Sequence, residues 1–338
     1  KMGMNSFELI PTEENLIHTL DKDLLKRNKD LVRFYDLILV QEGASSIAID
    51  GRWGSGKTFF VKQSMLLINA KNPMSDMDDE KKASIVYALP FPKKAEDMPE
   101  NYNVAVYYDA WENDNDTDPV FSLVFEIIKQ LGINYAFDDN SNAFKLAGSV
   151  LEALTGRNIN GIIENLKSDN PLTKIKEEKD LHENIKNFFT ELLVERGNRL
   201  VVFIDELDRC KPSYAVQLLE RIKHYLYDDR ITFVFSVNLG ELQHTIKHYY
   251  GNTFDACRYL DRFFDMRISL PPADKTAFYR EMGLESSYVL EKICRKVIDT
   301  YNMELREATR FYRQVKTAAY EPTHESRKFD FSFSDEKK

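Results

Sequence analysis

The sequence predicts an α/β fold: a parallel β-sheet covered by helices on both faces. Three observations carry that reading. Short apolar runs alternate with segments of helical periodicity from Ser46 to Pro272, the pattern of strands joined by right-handed helical crossovers. One run is followed at once by the glycine-rich Gly51–Thr58 and then by helical spacing. Another, Leu200–Ile204, is continuously apolar and ends in Asp205-Glu206, as expected of a strand buried on both faces. Ligands of such sheets bind beyond the carboxyl ends of the strands. Gly51–Thr58, Asp205-Glu206 and Asn238 all fall at that edge.

Taken in order, Thr12 to about Val40 carries apolar residues near helical spacing (Leu16, Leu20, Leu24, Leu31, Phe34, Leu37), broken around Asp21–Asp23, and predicts a helical leader. Ser46–Asp50 is a short strand, and Phe59–Asn69 resumes as a helix. Pro73–Asn103, rich in Asp, Lys, Pro and Met, reads as a short helix or loop excursion. Val104–Tyr108 is a strand ending in Asp109-Ala110-Trp111, and Pro119–Leu131 is a helix. Ala136–Gly197 reads as a helical insertion, with an amphipathic stretch at Leu181, Ile185, Phe188, Leu192 and Leu193. After Leu200–Ile204 a proline-started helix runs from Pro212 to about Tyr227. Ile231–Val237 is a strand ending in Asn238, Gly240–Tyr250 and Thr253–Arg262 are helices, and Met266–Leu270 is a last strand closed by Pro271-Pro272. The remainder reads as helix. The chain therefore divides into a helical leader over 1–45, a core over 46–275 with an insertion at about 136–197, and a C-terminal helical region with a flexible tail over 276–338.

The composition narrows the class of function. The 338 residues are 43% hydrophobic, enough for a real core, and 30% charged with a net charge of -9. That balance gives no overall attraction to nucleic acid or an anionic membrane, a local basic patch aside. Cys210, Cys257 and Cys294 are too few and scattered for a disulfide framework or a zinc site, and free thiols fit a reducing, cytoplasmic compartment. Stretches such as Leu37–Val40 and Val120–Ile128 are far shorter than a membrane span of roughly 20 residues, so no span is expected. No basic-then-apolar leader opens the chain, and Lys1-Met2-Gly3-Met4 resembles an expression-tag remnant.

The chemistry lies at the strand ends. Gly51-Arg52-Trp53-Gly54-Ser55-Gly56-Lys57-Thr58 fits G-x-x-x-x-G-K-[ST] in full, after a strand and before a helix. The backbone N–H groups of Gly51, Gly54, Ser55 and Gly56 would curl round phosphate oxygens, with the helix N-terminus aimed at them. Lys57 would reach the β- and γ-phosphates and the Thr58 hydroxyl would coordinate Mg²⁺; Trp53 and Phe59 complete the expected nucleotide-binding set. The bland alternative is a glycine-rich connector with an incidental lysine. Asp205 would supply a second oxygen ligand to Mg²⁺ and Glu206 would deprotonate the attacking water; the alternative is that these acids cap the next helix. Asn238 would hold the lytic water or touch the γ-phosphate, or is simply a turn residue. Arg258 and Arg262, read as one face of a helix, could serve as arginine fingers or pair with Asp255, Asp261 or Asp265. In the helix around Met303–Thr317, Arg306, Arg310, Arg313 and Lys316 form a basic stripe opposite Leu305, Ala308, Tyr312 and Val315. That stripe is solvated surface, a nucleic-acid contact, or the source of an arginine folding over the nucleotide, for which Arg306 is the candidate. Spacing assigns no role to Asp208 or Arg209.

These residues together resemble the KAP P-loop NTPases, a branch of the additional-strand class related to AAA+ and STAND proteins. The phosphate loop has tryptophan, Trp53, where that family usually has it. Tyr107-Tyr108-Asp109-Ala110-Trp111-Glu112 followed by Asp118-Pro119 resembles its aromatic strand end, with Asp109 where Asn is common. Val201–Arg209 with Cys210 and Pro212 is similar to its Walker B signature, with Glu206 at a frequent second Asp. Tyr259-Leu260-Asp261-Arg262-Phe263-Phe264 before Leu270-Pro271 is similar to its last helix and strand. The leader Asp23-Leu24-Leu25-x-Arg27 resembles the segment that lies against adenine in relatives. The resemblance implies a P-loop NTPase three-layer fold with a five-stranded sheet ordered 5-1-4-3-2, ATP and Mg²⁺ as ligands, and Asp205 and Glu206 as metal ligand and base. It also implies phage defence as a process, since some bacterial relatives act in phage exclusion.

The function expected is an ATP-driven conformational switch read by a protein partner through the insertion or the C-terminal helices, with homo-oligomer formation on ATP binding. The alternatives are a nucleotide-gated scaffold with negligible turnover and a nucleic-acid-processing ATPase motivated by the basic stripe alone. A phosphotransferase is the remaining enzyme alternative; such kinases usually lack a glutamate directly after the Walker B aspartate.

Overall fold

The computed structural model describes residues 10–91, 102–116, 118–134, 183–193, 197–225, 228–284 and 288–319. Its centre is a five-stranded parallel sheet of β1 (Ser45–Asp50), β2 (Asn103–Asp109), β3 (Arg199–Asp205), β4 (Ile231–Val237) and β5 (Met266–Ser269), in the spatial order β2-β3-β4-β1-β5. Read from the other edge this is the order the resemblance implied.

The central strands are apolar throughout because both faces are covered. On β3, Leu200, Val202 and Ile204 pack with one layer and Val201 and Phe203 with the other, the two-residue alternation of a pleated strand. The first layer holds α5 (Pro119–Asn134), α6 (Pro212–Tyr225), α7 (Leu239–Tyr250) and α8 (Ala256–Leu260), together with a helical stretch over 183–193. The second holds α1 (Glu13–Asp21), α2 (Asn28–Leu39), α3 (Lys57–Lys71) and α4 (Asp79–Tyr87). Burying phenylalanines such as Phe59, Phe60 and Phe203 in that layer contributes roughly 1.5–3 kcal/mol per side chain before entropy is counted.

The leader breaks where expected: α1 ends at Asp21, and Asp23 and Lys26 adopt positive φ of 44° and 55° before α2 begins. The stretch 183–193 buries Ile185, Phe188, Phe189, Leu192 and Leu193 against the sheet; Leu181 and the rest of the expected insertion lie outside the described residues, as does the expected C-terminal tail. The helix expected over Thr253–Arg262 is shorter. Only Ala256–Leu260 is helical, started by Asp255, whose side chain accepts from the N–H of Arg258, so Arg262 falls in the turn beyond it.

Three further helices, α9 (Lys275–Glu281), α10 (Val289–Thr300) and α11 (Leu305–Ala319), form a cluster of their own in which Phe278, Leu284, Cys294, Ile298, Leu305 and Tyr312 are buried with Leu25 of the leader. Among the described residues no helix is long and apolar enough to cross a membrane. Parallel pairing puts Asp109 opposite Asp205, Asp205 opposite Ser236 and Asp50 opposite Val237, so the strand-end acids share one edge.

Candidate functional site

That edge opens into a cavity of about 560 Å³ whose lining includes Trp53, Gly54, Gly56, Lys57, Thr58, Phe59, Asp205, Glu206 and Arg306. The phosphate loop folds as its glycines require. Gly54 and Gly56 have φ of +80° and +89°, backbone that L side chains rarely adopt. A Cβ at Gly54 would also stand 3.2 Å from Cβ of Arg306, and one at Gly56 3.0 Å from a guanidinium nitrogen of Arg27. The Gly51 N–H donates to the carbonyl of Val237 (3.2 Å), anchoring the loop to β4. With Gly56 as a cap lacking a side chain, the first N–H groups of α3 are left for the concave side of the loop.

Lys57 is buried, and its ammonium donates to the carbonyls of Gly51 (2.6 Å) and Arg52 (3.2 Å). Burial lowers its pKa, with Asp208, Asp205, Glu206 and Asp50 opposing. Ser55 Oγ is buried without a hydrogen-bond partner, an orphan hydroxyl in the loop that an anion would satisfy. Arg27, 4% exposed, holds the same loop from beneath, donating to the carbonyls of Ser55 (2.8 Å) and Pro271 (2.5 Å). Its burial pulls the guanidinium pKa down to about 10.

The acidic half comes from the end of β3. Asp205, 1% exposed, accepts from the Tyr107 hydroxyl (3.1 Å) and, on its other oxygen, from the N–H of Glu206 (3.0 Å). Glu206 has left-handed backbone, φ 60° and ψ 22°, ahead of a single 3₁₀ turn at Leu207–Arg209, a strained conformation of the kind that collects at functional sites. That turn carries Arg209 back to Glu206, with Nε 2.7 Å from Oε2. Burial first and Asp205 second push the Glu206 pKa up to about 7, with Arg209 opposing. The alternative that Asp205 and Glu206 cap the next helix is not what is seen, since both line the cavity and α6 starts only at Pro212. Asp208, buried beside them, accepts from the indole N–H of Trp53 (2.6 Å), and burial raises its pKa.

The basic stripe divides: Arg306, Arg310 and Arg313 of α11 are exposed yet line the cavity, brought there by Leu305 and Ala308 packing into the C-terminal cluster, whereas Lys316 does not line it. Leu25, Leu305, Ile10 and Pro11 form an apolar part of the lining. Of the other lining residues, Arg310 and Arg313 belong to the basic stripe from which sequence names Arg306 alone, Tyr107 and Asp109 enter only through the family motif, and Lys62 and Arg209 are given no role. Alternation of side chains along a strand puts Tyr107 and Asp109 on one face of β2, a signal that could have found them. Lys62, with its ammonium 4.4 Å from the Tyr107 ring centre, stands four residues after Thr58 on α3, a spacing that puts both on one helical face.

Other expected residues sit elsewhere. The Asn238 side chain caps α7, accepting from the N–H of Glu241 (3.4 Å), and does not line the cavity. Arg258 and Arg262 are exposed away from it, and Arg262 is past the end of α8. Neither forms an ion pair among the described residues. Asp261 pairs with Arg267 (2.5 Å), Asp265 accepts from the N–H of Ser46 (2.9 Å), and Asp255 caps α8, so the acids proposed as their partners are engaged otherwise.

The arrangement can cradle phosphates with the loop N–H groups and Lys57, and it fits a divalent cation: Thr58 and the buried carboxylate of Asp205 border the same space. A 95-residue stretch is 33% identical to an uncharacterized protein of Methanocaldococcus jannaschii, covering 25% of this chain and 49% of that protein, so the match spans about half of the relative. Among solved structures, the Aeropyrum pernix ORC1 protein in complex with DNA aligns over 94% of this chain and 63% of that one, at 13% identity and a TM-score of 0.38. The family profile described as the KAP family P-loop domain matches residues 28–321, from the leader through the phosphate loop and both carboxylates to the arginine helix. The chain belongs to the KAP family of P-loop NTPases, and its domain is a nucleotide-binding one.

Proposed function

We propose that the protein binds ATP with Mg²⁺ and hydrolyses it, and that hydrolysis resets a conformational switch. The observation that carries this reading is the convergence of Lys57, Thr58, Asp205, Glu206 and Arg306 on one cavity. Lys57 and Arg306 would neutralise the phosphate tail, and the apolar lining at Leu25 and Leu305 would take the base. Thr58 and Asp205 would hold Mg²⁺, which when bound supplies charge neutralisation to the β- and γ-phosphate oxygens. Glu206 accepts a proton from water as the water oxygen bonds to the γ-phosphorus. The bond from that phosphorus to its bridging oxygen breaks, and ADP and phosphate leave.

The switch is supported by the position of α11. Its arginines sit on the cavity while its apolar face belongs to the C-terminal cluster, so loss of the γ-phosphate would weaken that cluster's hold on the core. We therefore treat the leader (1–45), the core (46–275) and the C-terminal region (276–338) as the units that move, and a protein partner reading the C-terminal helices as the output. Free thiols at Cys210, Cys257 and Cys294 support a cytoplasmic setting. Phage defence as the process rests on the resemblance alone.

The test is magnesium-dependent phosphate release by the purified protein, with and without candidate partners. Activity abolished by Lys57→Ala and Glu206→Gln is the expected result; release that survives both substitutions overturns it. A nucleotide-gated scaffold is the alternative that this test separates. It predicts thermal stabilisation by ATP with phosphate release at background.

A further inference from the structure

Glu206 stands in a crowd of like charge. Asp205, Asp208 and Asp109 all act on it electrostatically, and such a carboxylate would swing away from its neighbours unless something held it. Among the described residues its carboxylate has a single ion-pair partner, Nε of Arg209 at 2.7 Å, with the side chains of Glu206 and Arg209 only 16% and 24% exposed. The contact takes one oxygen, Oε2, and leaves the other for a substrate-side proton, while Glu206 still lines the cavity.

Arg209 is itself held. Its guanidinium carbon lies 5.7 Å from the centre of the Trp53 ring and 5.8 Å from that of Trp111, both within the range at which a cation is attracted to an aromatic face. Trp53 comes from the phosphate loop and Trp111 from the turn after β2. Trp53 is pinned in turn by its indole N–H on Asp208 at 2.6 Å. Trp53 and Trp111 are 45% and 53% exposed, unusual for the largest apolar side chain. They are also the only two tryptophans in the chain. A cation shared between them accounts for both rings being at the surface.

We infer that Arg209, steadied by Trp53 and Trp111, is the positioning residue that fixes the Glu206 carboxylate for the attack of water. The inference rests on the hydrolytic reading above. Arg209 also lines the cavity, so the split between kcat and KM is what separates action through Glu206 from a contact with the nucleotide or a merely structural role.

The test is Arg209→Ala in the full chain. Losing the ion pair that orients the base lowers kcat by about 10- to 100-fold, with the KM for ATP changed by no more than about threefold. Millimolar guanidinium, filling the gap between the indoles, restores part of the turnover of Arg209→Ala and restores none once Trp111→Ala removes one wall. Because both tryptophans border Arg209, quenching of intrinsic fluorescence by acrylamide rises in Arg209→Ala whether or not ATP is turned over. Should that variant fail to fold, Arg209→Lys and Trp111→Phe carry the test, each with kcat below wild type and KM retained. Turnover of Arg209→Ala within about twofold of wild type, a loss confined to KM, or no response to guanidinium overturns the inference while leaving hydrolysis standing. A wild-type protein that releases no phosphate overturns the hydrolytic reading, and this inference with it.

Discussion

Replacing Arg27 by methionine separates two things that one side chain does. The guanidinium is buried, ties the phosphate loop at Ser55 to the chain after β5 at Pro271, and leaves Nε without a partner. Each hydrogen bond from a charged donor is worth about 1.5–3 kcal/mol, so losing both removes about 3–6 kcal/mol. Against this, burial, opposed by Asp30 and Glu304, lowers the group's pKa from 12.5 to about 10, a net cost of about 3 kcal/mol for the charged form that the neutral side chain no longer carries. Methionine fills most of the same space. The two sums offset, and Arg27→Met should lose only about 0–3 kcal/mol of stability by urea unfolding, with an unchanged slope. The loop is affected more, because the Ser55 carbonyl loses the contact that sets the peptide preceding Gly56. Nucleotide affinity should fall about tenfold, equivalent to about 1.4 kcal/mol, measured by titration calorimetry. Unchanged affinity alongside a large loss of stability would reduce Arg27 to a structural tie with no part in shaping the phosphate loop.

Three further outcomes follow from the geometry. Tyr107→Phe removes the hydroxyl that donates to Asp205 and should weaken Mg²⁺ dependence of turnover several-fold while leaving metal-free nucleotide binding alone; a titration of activity against Mg²⁺ decides it. Arg306→Ala should weaken ATP binding by about tenfold and flatten its salt dependence, whereas an unchanged salt slope would place that arginine outside the phosphate field. Asn238→Ala removes the cap of α7 and should cost about 1 kcal/mol of stability with kcat retained; a collapse of kcat in a folded variant would return Asn238 to the chemistry.

What the sequence makes legible is whatever local pattern encodes. β3 and β4 announce themselves because strands covered on both faces need unbroken apolar runs, and the phosphate loop does so because Gly54 and Gly56 occupy positive-φ backbone that L side chains rarely adopt. Asp205 and Glu206 follow from standing at the end of such a strand. The misplaced residues failed for equally physical reasons. Apolar spacing across Thr253–Arg262 resembles a helix, yet Tyr259, Leu260 and Phe264 are buried against α6, α7 and β4 in a five-residue helix and a turn, so Arg258 and Arg262 do not share a helical face. Asn238 suits a strand end and a helix cap alike, and only the structure shows the cap. Arg310, Arg313 and the Trp53–Arg209–Trp111 contact depend on segments far apart in sequence meeting at one edge, which no spacing along the chain records.

Hydrolysis of ATP at the carboxyl edge of the sheet is most directly tested by comparing wild type with Glu206→Gln in one preparation, measuring nucleotide binding and phosphate release together. Glu206→Gln is expected to bind Mg·ATP with wild-type affinity and to release no phosphate above background. Equal release from the two proteins, or none from wild type with its partner present, would contradict it.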